Sequence, residues 1–256
     1  MGMDWYWVHE CTFCQPLRYS DFNIGDQVRT DEPAIREQQD WLGTDKETLN
    51  KTIAAQCDAI VAGLYEYHVC YKPHFPDKVH YIPLPIKPQE NCVATTNGNK
   101  LRVFIGISKG RSEYKGTDIM LRAAESVAAK YPDKIEIIKA EGVPFALYEK
   151  FMNGSDAILD QLYAYSPSMN PLLAMSKGII CIGGGEPEIY EILNEDKLRP
   201  IINVEPNYDS VYQALEQLVL HPESISKLKR QSIEFVERYH DYLKIARQYE
   251  ALYAQL

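Results

Sequence analysis

The sequence has no surplus of positive charge and no long apolar run. Its 256 residues include 27 lysines and arginines against 36 aspartates and glutamates, a formal net charge of −9. Without a basic surplus a chain neutralises few phosphates, so the composition argues against nucleic-acid binding. No apolar stretch approaches the roughly 20 residues that a membrane-spanning helix needs, and the first residues lack the pattern of a signal peptide. We therefore expect a cytoplasmic protein without a transmembrane segment.

Cysteine is scattered rather than clustered, which favours free thiols in a reducing cytoplasm over a disulfide framework. Cys11 and Cys14 have the spacing of a metal or redox pair, but no second pair follows and the surrounding pattern is not thioredoxin-like. We therefore expect no metal site. The six cysteines are Cys11, Cys14, Cys57, Cys70, Cys92 and Cys181.

From Leu101 onward, apolar runs alternate with segments of helical spacing. This order predicts an α/β domain with a doubly wound, Rossmann-like parallel sheet, because parallel strands are joined by helical crossovers. Nearly continuous apolar strands agree with a sheet covered on both faces. The predicted strands are Val103–Ile105, Ile135–Ile138, Ala157–Leu159, Ile179–Ile182 and Ile201–Val204. The predicted helices begin after Thr117, span Phe145–Met152 and Asn170–Lys177, and begin again at Pro187.

The rest of the chain predicts a second, partial α/β domain and three closing helices. In the first 95 or so residues we expect strands at Tyr6–Val8, Ala59–Ala62 and Val79–Ile82, and a helix at Asp45–Gln56. Prolines in 82–88 and the polar stretch 94–99 indicate an interdomain connection. The predicted organisation is residues 1–95, residues 96–238, and a last helix over 239–256 that packs back on the amino-terminal part.

Candidate ligand-binding residues follow the predicted strands, where parallel α/β sheets bind ligands. The first strand leads into Gly106, then Lys109-Gly110-Arg111, and then Lys115. Two glycines and three cations in such a loop suit a diphosphate, although a solvated basic loop would have the same composition.

Three further segments fall at the same edge of the predicted sheet. Asp160 follows the third strand, where it either orients a sugar hydroxyl or caps the next turn. Ser168 and Asn170 stand at a helix start, where they either bond a ligand or cap the helix. The segment 183–188 carries three glycines before a helix start, an arrangement that lets a backbone approach an anion.

Taken together, these segments resemble the carboxyl-terminal, donor-binding half of a GT-B glycosyltransferase of retaining family 4. The matching residues are Arg111, Lys115-Gly116, Ala174-Met175-Ser176-Lys177-Gly178 and Gly184-Gly185-Glu186-Pro187-Glu188, within about Leu101 to Leu193. The resemblance implies that Arg111 and Lys115 hold the diphosphate of a nucleotide-sugar donor without a metal or other cofactor. The expected donor contacts are Gly106, Lys109, Gly110, Asp160, Ser168, Asn170, Gly183, Gly184, Gly185, Glu186 and Glu188.

The sequence departs from that family in two places. Tyr165 and Leu173 stand where most members carry glutamates that contact the donor. Either Ser168, Asn170 or Asp160 takes over that role, or donor binding is altered or lost. The first domain is also shorter than a complete one, so we expect an amino-terminally shortened enzyme. His9 is a candidate contact near the anomeric carbon, and the alternative is a structural or surface histidine.

The sequence thus predicts sugar transfer from a nucleotide sugar to a glycan, lipid-linked or small-molecule acceptor, with retention of configuration. Polysaccharide biosynthesis is the expected context, and a peripheral membrane contact stays open. Arg111 and Lys115 would stabilise the leaving diphosphate. One alternative is a degenerate module that binds a nucleotide or a partner protein without catalysis. Another is a nucleotide-sugar enzyme of the 2-epimerase kind.

Overall fold

The carboxyl-terminal part of the chain forms a five-stranded parallel sheet. The computed structural model describes residues 3–29, 33–89 and 100–256. The strands are β1 (Asn23–Ile24), β2 (Gln27–Val28), β3 (Ile60–Ala62), β4 (Val79–Tyr81), β5 (Leu101–Ile107), β6 (Ile135–Glu141), β7 (Ala157–Leu159), β8 (Ile180–Gly183) and β9 (Ile202–Asn203).

Helices cover both faces of this sheet and build most of the amino-terminal part. They are α1 (Trp5–His9), α2 (Pro33–Gln38), α3 (Asp45–Gln56), α4 (Tyr65–Tyr71), α5 (Ser112–Lys115), α6 (Thr117–Lys130), α7 (Phe145–Met152), α8 (Met169–Ser176), α9 (Pro187–Ile192), α10 (Tyr208–Leu220), α11 (Ile225–Tyr239) and α12 (Tyr242–Tyr253). A π-helix (Glu10–Cys14) continues α1, and 3-10 helices span Gln39–Trp41 and Pro222–Ser224. Among the described residues, no helix has the length and apolarity to cross a membrane.

Alternate residues of the central strands enter two separate cores, one on each face of the sheet. Phe104 and Ile158 pack in one buried cluster, and their neighbours Ile105 and Leu159 pack in the other. Successive side chains of a strand point to opposite faces, so a strand covered on both faces must be apolar at every position. This explains the continuous apolar runs and confirms the predicted α/β class.

The strand order β6-β5-β7-β8-β9 creates a crevice at the carboxyl edge of the sheet. β5 pairs with β6 on one side and with β7 on the other, so the chain winds in opposite directions from β5. In such doubly wound sheets the ligand crevice lies beyond the carboxyl ends of the two strands at the reversal. Here these are β5 and β7, which lead to Arg111 and to Asp160 respectively.

The predicted helices and strands of the sheet region are confirmed, with bounds that differ by a few residues. The helix at Asp45–Gln56 and the strands near Ala59–Ala62 and Val79–Ile82 are also confirmed, and the two strands pair in parallel. The prediction of a strand at Tyr6–Val8 is wrong, because these residues lie in α1. Asp4 caps this helix by accepting the Trp7 N–H at 2.9 Å.

The error at α1 has a physical cause. Trp5, Tyr6, Trp7 and Val8 are all buried, so the segment is apolar all round and shows neither helical nor strand periodicity. A long-range hydrogen bond helps to orient α1, since the Trp5 N–H donates to Asn50 Oδ1 at 2.9 Å.

The last helix, α12, contacts the amino-terminal part of the chain. Ile245 and Leu252 form a buried cluster with Ile82, and Ile86 forms a β-bridge with Asp241. The polar stretch 94–99 and the domain division after residue 95 lie outside the described residues. The division of the chain into 1–95, 96–238 and 239–256 therefore stays a prediction.

Candidate functional site

A cleft of about 660 Å³ opens between the amino-terminal part and the carboxyl edge of the sheet. This volume falls in the range of small-molecule sites, about 300–1,000 Å³. Of the residues predicted to bind a donor, the cleft is lined by Gly110, Arg111, Lys115 and Ser168. The structure brings these four together at the reversal of the sheet, and the two cations are its main positive charge.

Arg111 and Lys115 are held by the short helix α5 and the turn that ends it. The Arg111 guanidinium carbon lies 5.0 Å from the centre of the Tyr114 ring. The Lys115 carbonyl accepts the Leu162 N–H at 2.8 Å, which joins the end of α5 to the segment after β7. Neither cation forms an ion pair with a carboxylate in the described parts of the chain. Both charges are thus available to an anion in the cleft.

Gly116 is required by this turn. Its φ is +71°, and a Cβ there would lie 2.6 Å from Cβ of Leu162. A left-handed backbone angle and a close approach both select glycine. The turn therefore requires a glycine directly after Lys115, and Lys115 lines the cleft.

Asp21 also lines the cleft, beside α5, and the sequence did not predict it. Tyr114 Oη donates to Asp21 Oδ2 at 2.7 Å, and both residues line the cleft. Burial raises the pKa of Asp21 to about 6, although the hydrogen bond from Tyr114 and the charges of Arg29 and Lys115 oppose the shift. Desolvation of a carboxylate is the general cause of such a rise.

Glu66 is a second cleft carboxylate that the sequence analysis missed. It is buried, and its Oε1 accepts the N–H groups of Tyr165 at 2.7 Å and Ser166 at 2.8 Å. Its Oε2 accepts the Ser166 hydroxyl at 2.7 Å. Burial raises its pKa, and these bonds oppose the rise. Because its carboxylate accepts hydrogen bonds from Tyr165 and Ser166, Glu66 holds the segment after β7 in place.

Asp160 and Asn170 form a small network beyond β7 rather than lining the cleft. Asn170 Nδ2 donates to Asp160 Oδ1 at 3.3 Å and Tyr148 Oη donates to Asn170 Oδ1 at 3.0 Å. Burial raises the pKa of Asp160, against the charge of Lys115 and the Asn170 bond. Gly106 is covered by the same tyrosine, since a Cβ there would lie 2.3 Å from Tyr148 Oη. Lys109 is exposed and outside the cleft lining.

The loop of Gly183, Gly184 and Gly185, which the sequence predicts to contact the donor, is packed against protein. A Cβ on Gly184 would lie 2.3 Å from the Ala164 carbonyl oxygen, and one on Gly185 2.7 Å from Ile201 Cγ2. The Gly185 N–H donates to Asn203 Oδ1 at 3.1 Å. The glycines permit close packing of this loop, and none of them lines the cleft.

The carboxylates of Glu186 and Glu188 also accept hydrogen bonds from side chains of the protein. Arg18 Nη2 donates to Glu186 Oε2 at 2.6 Å, and Arg18 Nη1 donates to Glu188 Oε1. The Tyr19 hydroxyl donates to Glu186 Oε1. Both carboxylates, which the sequence predicts as donor contacts, thus bind side chains of the amino-terminal part in this structure. No local sequence signal could indicate partners about 170 residues away.

The two positions that depart from the family pattern have structural roles here. The Tyr165 hydroxyl accepts the backbone N–H of Arg18 at 2.8 Å, and its ring lies 4.9 Å from that of Tyr19. Leu173 packs against the apolar core. Tyr165 therefore fixes the amino-terminal segment where a glutamate was expected to contact a donor.

His9 lies away from the cleft. It ends α1, where its ring stacks on Trp5 at 4.3 Å and its Nδ1 lies 3.0 Å from Glu10 Oε1. It does not belong to the cleft lining. The expectation that His9 approaches an anomeric carbon assumed a strand end, and that strand is a helix.

No protein-family model and no curated protein matches the chain. Solved structures are similar in fold at low sequence identity. A variant of S. aureus TarM, solved with fondaparinux, alpha-GlcNAc-glycerol and UDP, is 13% identical with a TM-score of 0.59, over 82% of this chain and 46% of that one.

Two other solved structures are similar to the same extent. Pneumococcal O-GlcNAc transferase GtfA, in complex with UDP and GlcNAc, is 12% identical with a TM-score of 0.58, over 83% of this chain and 48% of that one. Anabaena HepE, in complex with UDP and glucose, is 9% identical with a TM-score of 0.59, over 82% of this chain and 66% of that one.

These similar structures are GT-B glycosyltransferases, and they establish a GT-B-like α/β fold for this chain. The chain spans between about half and two thirds of their length. A shared fold does not by itself establish a shared activity, so function has to be argued from the cleft.

Proposed function

We propose that this chain takes part in glycosyl transfer from a nucleotide sugar, and that the cleft binds the donor's diphosphate. The observation that carries the proposal is the position of Arg111 and Lys115 at the reversal of a GT-B-like sheet, in a cleft of about 660 Å³. The solved structures similar in fold contain UDP, with GlcNAc or glucose in two cases, which supports a uridine diphosphate sugar as donor.

The proposed role of Arg111 and Lys115 is to stabilise the leaving diphosphate. When the anomeric carbon exchanges its bond to the diphosphate for a bond to an acceptor hydroxyl oxygen, negative charge grows on the leaving phosphate. Preorganised positive groups in a site shielded from water stabilise that charge more strongly than water does. An arginine grips phosphate oxygens with a planar fork, and a lysine adds a point charge.

Asp21 is the carboxyl group best placed to replace the family's donor-binding glutamates. It lines the cleft together with the two cations, and the Tyr114 hydroxyl bonds only one of its oxygens in the described structure. We assign it to a hydroxyl group of the transferred sugar or of the acceptor. Its raised pKa places the ionised form, which accepts two hydrogen bonds, above about pH 6.

The proposed activity is that of a retaining family 4 enzyme, which transfers the sugar with retention of configuration and without a metal. The proposed location is the cytoplasm, and the proposed role is polysaccharide biosynthesis. The acceptor is a glycan, a lipid-linked molecule or a small molecule.

Titration calorimetry with UDP and with GDP tests the diphosphate site. Arg111→Ala and Lys115→Ala should each weaken UDP binding about 10-fold or more, which corresponds to the loss of one charge-assisted contact. Lys109→Ala is the matched control, because Lys109 is an exposed cation of the same loop outside the cleft lining. Equal UDP affinity in the wild type and in both cleft variants would remove the assignment.

A second candidate function is a nucleotide-binding or partner-binding module without catalysis. The bonds of Arg18 and Tyr19 to Glu186 favour it, because they occupy a side chain that the family resemblance assigns to the donor. Incubation with UDP-glucose and UDP-GlcNAc, followed by measurement of released UDP, separates the two functions. UDP binding without UDP release, with every acceptor class, would establish the second.

A further inference from the structure

A cluster of metal-ligand side chains stands at the junction of α1 and the π-helix, outside the cleft. His9 Nδ1 lies 3.0 Å from Glu10 Oε1, and His74 Nε2 lies 2.9 Å from the same oxygen. One ligand atom each of His9, Glu10 and Cys14 lies within 4.8 Å of the other two. We call His9, Glu10 and Cys14 the ligand cluster.

The π-helix creates this cluster. The Gln15 N–H donates to the Glu10 carbonyl at 2.7 Å, an i to i+5 bond that widens the turn. In such a turn residue i+5 returns to the face of residue i, which places Cys14 beside His9. Single π turns inside helices are rare overall, and those that occur often lie at functional sites.

The same turn separates the two cysteines of the Cys11–Cys14 pair. Cys11 is fully buried, with its sulfur 3.9 Å from that of Cys70, whereas Cys14 is exposed beside Glu10. Because no second cysteine pair follows them, the sequence predicts no metal site at these two cysteines. The structure instead combines one cysteine with a histidine and a glutamate.

The chemistry of the cluster suits zinc. An imidazole nitrogen, a thiolate and a carboxylate oxygen are the three ligand types that Zn²⁺ takes in proteins. Softer thiolate and imidazole ligands select against Mg²⁺ and Ca²⁺, which prefer oxygen. An ion could enter from solvent, since 31% of the His9 side chain and 36% of the His74 side chain are exposed. The Glu10 side chain is only 7% exposed.

We propose that His9, Glu10 and Cys14 bind one zinc ion, with water in the fourth position. His74 acts as a positioning residue, because its bond to Glu10 Oε1 orients the carboxylate. Groups that orient a ligating carboxylate or histidine in this way commonly tune metal affinity. The site joins α1 and the π-helix to the segment after α4, and it does not depend on the proposed glycosyl transfer.

The test uses the full chain, freed of metal with a chelator and kept in a reductant that does not bind metals. Titration with Co²⁺ should give an absorption band from thiolate-to-cobalt charge transfer that saturates at one equivalent. Addition of Zn²⁺ should remove the band. Competition with a chromophoric chelator should give a zinc dissociation constant below about 1 µM.

Variants with matched controls locate the site. Cys14→Ser should abolish the cobalt band, while Cys57→Ser, a thiol at the end of α3, should keep it. His9→Ala should weaken zinc binding at least as strongly as His74→Ala, which should weaken it about 10- to 100-fold and keep the band. His221→Ala, a change of an exposed histidine beside Glu223, should leave the zinc affinity unchanged.

Three results would overturn the proposal. They are a zinc dissociation constant above about 100 µM, a cobalt band that survives Cys14→Ser, and His9→Ala binding zinc like the wild type. Circular dichroism of each metal-free variant checks that it is folded. Because Cys14 and His9 are changed separately, a folding defect in one variant leaves the other to decide.

Discussion

Arg18 and Glu186 form an ion pair of 2.6 Å that joins the amino-terminal part of the chain to the loop after β8. The Glu186 side chain is 4% exposed, whereas 56% of the Arg18 side chain is exposed. Burying a carboxylate is costly unless it is paired and hydrogen-bonded, and Arg18 and Tyr19 meet that need together. The pair therefore helps to hold the two parts of the chain in the arrangement that forms the cleft.

Arg18→Ala should destabilise the protein because Glu186 loses its cation. We expect a decrease of about 1–2 kcal/mol in the free energy of unfolding, measured by urea denaturation at pH 7. The loss stays below the roughly 3–5 kcal/mol of a fully buried pair because solvent already reaches Arg18. Arg36→Ala, an exposed arginine of α2, is the control and should change stability by less than about 0.5 kcal/mol. Equal losses in the two variants would contradict the role of the pair.

The sheet region could be predicted from the sequence because its signals are local. The apolar run that contains Ile180 and Ile182, followed by glycines and Pro187, indicates a strand and a helix start without knowledge of the rest of the chain. Arg111 and Lys115 could be predicted as cleft residues for the same reason, since they follow a strand whose carboxyl end faces the crevice.

The remaining cleft residues could not be predicted because they depend on long-range contacts. Asp21 reaches Tyr114, and Glu66 reaches Tyr165 and Ser166 about 100 residues away. No spacing along the chain indicates such pairs. The glycine loop illustrates the opposite difficulty, because its composition fits both a phosphate contact and tight packing, and only the neighbours of Gly184 distinguish them.

Asp21 should make stability depend on pH in a defined window. Its pKa is about 6 in the folded protein and near 3.8 when unfolded, so the folded state binds this proton more tightly. The Asp21 contribution to stability is therefore greatest below about pH 4, falls as pH rises to about 6, and is constant above that. Relative to Asp21→Asn, the wild type should lose about 1–3 kcal/mol of unfolding free energy between pH 4 and pH 7.

Urea denaturation of both proteins at closely spaced pH values measures this difference. Subtracting the Asp21→Asn curve from the wild-type curve removes the titration of other groups. Asp26→Asn, at an exposed aspartate in the turn between β1 and β2, is the matched control substitution. Parallel wild-type and Asp21→Asn curves would show that Asp21 is solvated like an ordinary surface carboxylate.

Glu66→Gln should weaken the segment after β7. The carboxylate accepts two backbone N–H groups and one hydroxyl, and a glutamine offers one acceptor oxygen and an NH₂ group that faces donors. We expect a loss of about 2–4 kcal/mol in urea denaturation, because buried donors are left unsatisfied. Glu125→Gln, on the exposed side of α6, is the control. A Glu66→Gln protein as stable as its control would mean that this segment finds other acceptors.

Gly184→Ala tests whether the loop after β8 is closed by packing. The new Cβ would lie 2.3 Å from the backbone carbonyl oxygen of Ala164, which cannot rotate away, so the loop or the segment after β7 must move. We expect a loss of about 3 kcal/mol in the free energy of unfolding. Gly142→Ala is the comparison, because Gly142 has a φ of +61° with no atom within 4 Å of its Cβ position. Its loss should be about 1 kcal/mol, from backbone strain alone.

The two stability losses also indicate whether the loop after β8 can contact a donor. A Gly184→Ala loss that exceeds the Gly142→Ala loss means that the loop is held tightly against Ala164. Equal losses would show that the loop moves away at little cost. A mobile loop could then open toward the cleft, and Gly183, Gly184 and Gly185 would again be candidates for contact with the donor's phosphates.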